Sequence, residues 1–138
     1  MVSNIIRVCV SWTGDNFCAV WDGGAAGVVA VTAKTLEGLK EDFPQSLRWH
    51  IEGCVSDGDI LPEYLVEGNY SIDYNLDAAA LLRNAEVFTT MAAISRASGI
   101  NQKQLSHYAN GLKKPRDAQR QRIIDGLRRI SAQIMALC

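Results

Sequence analysis

No run in this chain is apolar for long enough to cross a membrane. The longest stretch free of Asp, Glu, Lys and Arg is Gly23 to Ala33, far short of the ~20 residues that a bilayer span needs. No basic region followed by an apolar core opens the sequence, so no secretory signal is expected and the expected compartment is the cytoplasm. The four cysteines, Cys9, Cys18, Cys54 and Cys138, form no Cys-x-x-Cys pair and show no His partner at metal-ligand spacing. That pattern argues against a zinc site and against a disulfide-stapled scaffold, and free thiols are expected. A glycine-rich phosphate loop and a nucleophile elbow are also missing. His50 with Glu52, or Asp57 with Asp59, are the pairs from which a hydrolytic site could be assembled, but each reads more simply as a solvated helix end or loop. No enzyme, metal centre or cofactor is expected.

What is present is an ordinary globular composition, with 138 residues, 48% hydrophobic and 21% charged, enough for one domain or two small ones. The net charge of -1 conceals two opposite halves. Residues 1–76 carry four basic against eleven acidic side chains, a net of −7, and residues 77–138 carry ten basic against four acidic, a net of +6. A basic module of that size suits a polyanion, and an acidic one suits a basic protein partner. Mutual attraction of the halves is the simpler alternative.

The local patterns change at the same place. Ile5–Val10 is dense in β-branched residues, Thr13-Gly14-Asp15-Asn16 supplies a turn, and Phe17–Trp21 follows, which reads as a hairpin. Cys9 and Cys18 could then face each other across it. Val28–Thr32 is a third strand. Thr35 can cap a helix whose Leu36, Leu39, Phe43, Leu47 and Ile51 recur at three- and four-residue spacing, with Pro44 expected to kink or split it. Gly53 to Pro62 reads as a loop and Tyr70–Tyr74 as a last strand. The expected fold is α+β: over residues 1–75 a small antiparallel sheet with a helix on one face, the three tryptophans Trp12, Trp21 and Trp49 serving as sheet-to-helix core unless one exposed on a sheet face anchors a partner.

Residues 76–138 read as an all-α domain. Asn75 can cap a first helix through Ala78–Leu82, Thr89 or Thr90 a second through Ile94, Asn101 a third, and Asp117 a fourth after Pro115. Between Met91 and Asn110 the apolar positions Ile94, Ile100, Leu105 and Tyr108 and the small Ser95, Ser98 and Gly99 fit two short helices crossing at a glycine turn, a helix-turn-helix. The outer face of the second helix presents Asn101, Gln102, Lys103, Ser106 and His107, groups able to bond base edges in a major groove. A solvated helix face is polar as well. The basic exit Asn110-Gly111-Leu112-Lys113-Lys114-Pro115-Arg116, with Arg120 a turn further on, adds cations for phosphates.

Residues 90–116, through Ala97-Ser98-Gly99-Ile100-Asn101-Gln102 and Tyr108-Ala109-Asn110-Gly111-Leu112-Lys113-Lys114-Pro115, resemble the Xre-type helix-turn-helix. They depart from it at Ser95, where Ala is usual, and at Ser98, where an apolar residue is common, which implies slightly looser packing. The N-terminal half, through Gly14–Phe17, Gly27–Ala30, Thr35–Lys40 and His50–Gly53, resembles the HicB-like antitoxin domain. Together these resemblances imply an antitoxin-like transcriptional regulator whose first half binds a small, basic ribonuclease toxin and whose second half binds operator DNA.

The expected base contacts are Gln102, Lys103, Ser106 and His107, and the expected backbone contacts are Thr90, Asn101, Lys113, Lys114, Arg116 and Arg120. The stripe Ile123, Leu127, Ile130, Ile134 and Leu137 on the last helix is either a core face or a homodimer seam. A two-fold dimer implies an inverted-repeat operator. The competing reading is a protein- or ligand-sequestering module whose helical half only dimerises.

Overall fold

The computed structural model describes residues 4–138 and has mixed α and β structure. Its internal contacts divide the chain into two compact units, the described residues up to Leu76 and Asp77–Cys138. Among the described residues no helix is long and apolar enough to cross a membrane.

In the first unit, β1 (Ile5–Trp12), β2 (Phe17–Asp22) and β3 (Val28–Ala33) form an antiparallel meander. Alternation places Ile6, Val8 and Val10 of β1 and Phe17, Ala19 and Trp21 of β2 in the core while Ile5, Arg7 and Cys9 are exposed. Thr13 closes the hairpin, its backbone N–H donating to the Asn16 carbonyl at 2.9 Å, and the Trp12 and Phe17 rings meet edge to face. Cys9 stands opposite Val20 and Cys18 opposite Ser11, so the two thiols are diagonal neighbours, and both are free.

The long helix α1 (Leu36–Ser56) starts where Thr35 accepts from the Gly38 N–H at 3.0 Å, and it buries Leu39, Phe43, Leu47 and Ile51. Pro44 neither splits it nor ends it. The proline is on the exposed side, next to buried Phe43, where water can satisfy the carbonyl one turn back that its missing N–H leaves unpaired. The helix also continues three residues past Gly53, into the expected loop. Trp49 is 64% exposed on its outer side, so only Trp21 among the tryptophans is a buried core residue.

Helical spacing also brings one histidine beside a cysteine. His50 and Cys54, four residues apart, share one side of α1 with Nε2 and Sγ 3.7 Å apart.

After α1 a single turn, α2 (Glu63–Glu67), buries Leu65 and ends at Gly68 in the left-handed region. Five residues are too few for a helical period to show in the sequence. The last strand, β4 (Ser71–Leu76), pairs with β1 in parallel, so the sheet order is β3-β2-β1-β4 and the sheet is mixed, not antiparallel. The cause is the connection. A hairpin would reverse the chain beside β3, whereas the α1 crossover returns it to the far edge in the direction of β1.

The second unit comprises α3 (Ala78–Ala85), α4 (Met91–Ser98), α5 (Gln102–Ala109) and α6 (Asp117–Met135). Its core is Leu82, Ala85, Ile94, Ile100, Leu105, Tyr108, Ala109 and Ile123. Asp77, not Asn75, caps α3, accepting from the Ala80 N–H at 2.8 Å. Thr90 caps α4 and Asn101 caps α5, as the sequence suggests. Asp117 is the first residue of α6, inside the helix, where its charge complements the N-terminal dipole, and Arg116 is the cap residue.

Candidate nucleic-acid interface

The segment α4–turn–α5 is held by hydrogen bonds from its own residues and from α6. Gly99 closes α4 at φ +71°, a conformation that glycine adopts freely, and its N–H donates to the Ser95 carbonyl at 2.9 Å. Ser95 Oγ donates to the Ile100 carbonyl at 2.6 Å, and Ser98 Oγ accepts from the Ile100 N–H at 3.2 Å. The two serines therefore fasten the turn rather than loosening it, and Ser98 is buried at 6% exposure.

From α6, Arg122 Nη2 donates to the Gly99 carbonyl at 2.9 Å and Arg129 Nη1 to the Ala97 carbonyl at 2.8 Å. Both cations sit on carbonyls at the C-terminal end of α4, where the helix dipole favours positive charge. Arg83 on α3 similarly bonds the Ala109 carbonyl and the Asn110 side chain at the end of α5. None of these three arginines was singled out by the sequence patterns. Their only sequence signal is a basic residue at a helical spacing, which any solvated face also shows.

α4 and α6 approach closely at Gly126. A Cβ there would lie 2.9 Å from Ser98 Cβ and 3.0 Å from its Cα and N. Gly126→Ala is expected to destabilise this unit by about 1–3 kcal/mol, although alanine is otherwise favoured by ~1 kcal/mol in a helix interior. Thermal unfolding followed by circular dichroism checks this, and a raised midpoint would mean that the Ser98 backbone gives way.

With the turn fixed, α5 buries Leu105, Tyr108 and Ala109. Gln102 and Lys103 are exposed in its first turn, and Ser106 and His107 follow, half-buried. His107 Nδ1 is enclosed without a hydrogen-bond partner. Gln104, between them, is occupied by the Tyr108 hydroxyl at 2.8 Å.

Two of the expected backbone contacts already have structural work. The Asn101 side chain accepts from the Lys103 N–H at 2.8 Å, and Thr90 Oγ1 accepts from the Ala93 N–H at 3.1 Å, which leaves the Thr90 hydroxyl proton to donate. Lys113, Lys114 and Arg116 are exposed on the segment after α5, beyond Gly111 at φ +73°. Arg120, in the first turns of α6, is half-buried and already interacts within the chain.

The stripe on α6 divides along its length. Ile123 is fully buried in the core of the unit, so it is not a dimer-seam residue, because no partner surface can reach it. Leu127 and Ile130 are partly buried against that core. Ile134 at 51% and Leu137 at 88% are exposed, together with Met135 on the same helix and Val87 and Phe88 after α3. Phe88, Ile134 and Met135 border an apolar groove of about 450 Å³ with Leu81 and Leu127 in its wall. Among the described residues no group of three His, Cys, Asp or Glu side chains is placed to hold a metal. Comparison with protein-family models, curated proteins and solved structures finds no match to this chain.

Proposed function

We propose that Asp77–Cys138 is an Xre-type helix-turn-helix domain that binds operator DNA, with α5 as the reading helix. The observation that carries this reading is the exposed first turn of α5 behind a hydrogen-bonded turn. Gln102 and Lys103 are exposed where a helix enters a major groove, and Lys113, Lys114 and Arg116 are exposed just past its end. A groove-reading helix must be held rigidly, and the bonds from Arg122, Arg129 and Arg83 supply that.

Gln102 has the amide geometry for a bidentate bond to adenine, and Lys103 and Ser106 can reach guanine acceptors or phosphate. Thr90 and the three exposed cations after α5 position the backbone. The first unit, with its net charge of −7, is the HicB-like half and takes a small, basic ribonuclease toxin. The whole chain acts in the cytoplasm as an antitoxin-like repressor without catalytic activity. It works as a homodimer joined through the C-terminal end of α6, where Ile134, Met135 and, just beyond the helix, Leu137 are exposed near Phe88, which follows α3. Two-fold symmetry then sets two α5 helices about one DNA turn apart, ~34 Å, on an inverted repeat.

Fluorescence anisotropy on the DNA upstream of the chain's own gene, against a scrambled duplex over a salt series, tests the reading. Tight, salt-sensitive and selective binding supports it. Failure on both duplexes at low salt transfers the helical unit to the protein- or ligand-sequestering alternative. Within that assay Gln102→Ala is expected to lose about 1–3 kcal/mol of discrimination on the operator alone. Lys113→Ala should instead weaken all duplexes equally and lower the salt slope by about one. Equal losses on operator and scrambled DNA for Gln102→Ala would remove Gln102 from base contact.

A further inference from the structure

The edge strand β3 carries none of the features that keep a sheet edge from pairing. It bonds to β2 alone, and no strand lies beyond it among the described residues. Sheets usually guard such an edge with lysine, proline, a bulge or an inward charge. Val28–Ala33 reads Val-Val-Ala-Val-Thr-Ala, uncharged and without proline. Its register with β2 is unbroken from the Phe17 and Ala33 pair to the Asp22 and Val28 pair, so it has no bulge. The opposite edge, β4, instead carries Asp73 among its exposed residues.

The same register identifies the free backbone groups. Bonded and non-bonded pairs alternate along antiparallel strands. The Gly23 N–H donates to the Gly27 carbonyl at 2.8 Å, one step past the Asp22 and Val28 pair. Val29, Val31 and Ala33 therefore bond to β2, whereas Val28, Ala30 and Thr32 turn their N–H and C=O groups outward. All three are exposed, Val28 by 57%.

We propose that β3 pairs antiparallel with β3 of a second copy of this chain, across a two-fold axis at Ala30, joining two four-stranded sheets into one. In that register Ala30 faces its own counterpart and Val28 faces the partner's Thr32, so every outward N–H and C=O of these residues is bonded. Opposed residues of antiparallel strands share a side of the sheet, and half-buried Val31 is set beside the partner's Val29. An axis at Val31 would instead set Val28 against a lysine, Lys34. Charge selects a copy over a basic protein. Residues 1–35 hold Arg7 and Lys34 against Asp15 and Asp22, so the meander is neutral and the whole net of −7 lies on residues 36–76. Two copies of an uncharged strand meet without repulsion between them, and a basic partner finds no anion along it. The pairing is separate from the seam at α6 and does not rest on the DNA reading.

Sedimentation equilibrium of the full chain reads the assembly. Val28→Lys with Thr32→Lys sets lysine against lysine on both sides of the axis. It is expected to weaken association by about tenfold or more, so that the particle falls to half its mass or less. Val28→Glu with Thr32→Lys sets opposite charges at the same positions and is expected to restore the parental mass, which an unfolding effect would not do. The fall is expected whether or not α6 joins a further pair, so failure here is distinct from failure of that seam. A second measurement uses the chain with Cys9, Cys18, Cys54 and Cys138 replaced by Ser. There Ala30→Cys is expected to oxidise to a disulfide-linked dimer, because opposed Cα atoms ~5.5 Å apart allow the bridge, and Ser71→Cys on the far edge is not. The pairing is refuted if the lysine variant keeps the parental mass, if the charge-paired variant stays dissociated, or if Ala30→Cys links no faster than Ser71→Cys.

Discussion

Leu105→Ala is expected to destabilise the helical unit by about 2–5 kcal/mol and to abolish DNA binding with it. Leu105 is completely buried, the inward residue of α5 in the core that also contains Leu82, Ile94, Ile100, Tyr108 and Ile123. Alanine leaves a cavity between helices that are too short to close it, because α3, α4 and α5 have eight residues each and their ends are pinned by specific hydrogen bonds. A small domain's total stability is about 5–15 kcal/mol, so the loss is a large share of what holds α5 in place. The reporters separate the two units. All three tryptophans lie before Leu76, so their emission should stay native while the share of the helical circular dichroism signal that comes from α3 to α6, and not from α1, melts earlier. An unchanged melting profile would show that the α5 side of this core collapses around the gap.

Phe43→Ala should do the complementary damage, about 3–5 kcal/mol, to the sheet unit. Phe43 is fully buried on α1, and its ring meets Tyr74 of β4 edge to face at 6.1 Å. Lys40 reaches over the same Tyr74 ring, with Nζ 5.4 Å from its centroid. Removing the Phe43 ring therefore empties a core position and also releases the aromatic contact between α1 and the parallel edge strand. Chemical denaturation followed by tryptophan emission reads this directly, since Trp21 is buried in the same unit. The transition should move to lower denaturant while the helical unit, which lacks tryptophan, keeps its own transition. Loss of both transitions together would mean that the two units fold as one.

The serines of the α4–α5 turn illustrate how far residue types can mislead. Compared with a family pattern they look like mild defects, since a hydroxyl replaces a methyl or a larger apolar group. In the fold each hydroxyl is satisfied within its own turn, and the small Ser98 side chain lets Gly126 of α6 approach closely. Pro44 teaches the reverse lesson. Its local rule is sound, but the rule's consequence depends on which side of the helix the residue occupies, and that is set by the burial of Phe43 and Leu47 around it.

The periodicities of the chain by themselves determined most elements and their inward faces. Alternating β-branched residues, the Thr35 and Asn101 caps, the Thr89-Thr90 pair from which the structure takes Thr90, and the spacing Leu39, Phe43, Leu47 and Ile51 are local signals, each arising within a few residues. The change of charge and pattern near residue 76 was equally legible, because it is a sum over each half. Tertiary structure alone decided the parallel pairing of β4 with β1, which depends on where a long crossover delivers the chain. It alone assigned Arg83, Arg122 and Arg129 to holding helix ends, and it divided the α6 stripe into buried Ile123 and exposed Ile134 and Leu137. It also brought Ala26 to His50 and Cys54. Residues distant in sequence meet only when whole elements pack, and no local pattern encodes that meeting.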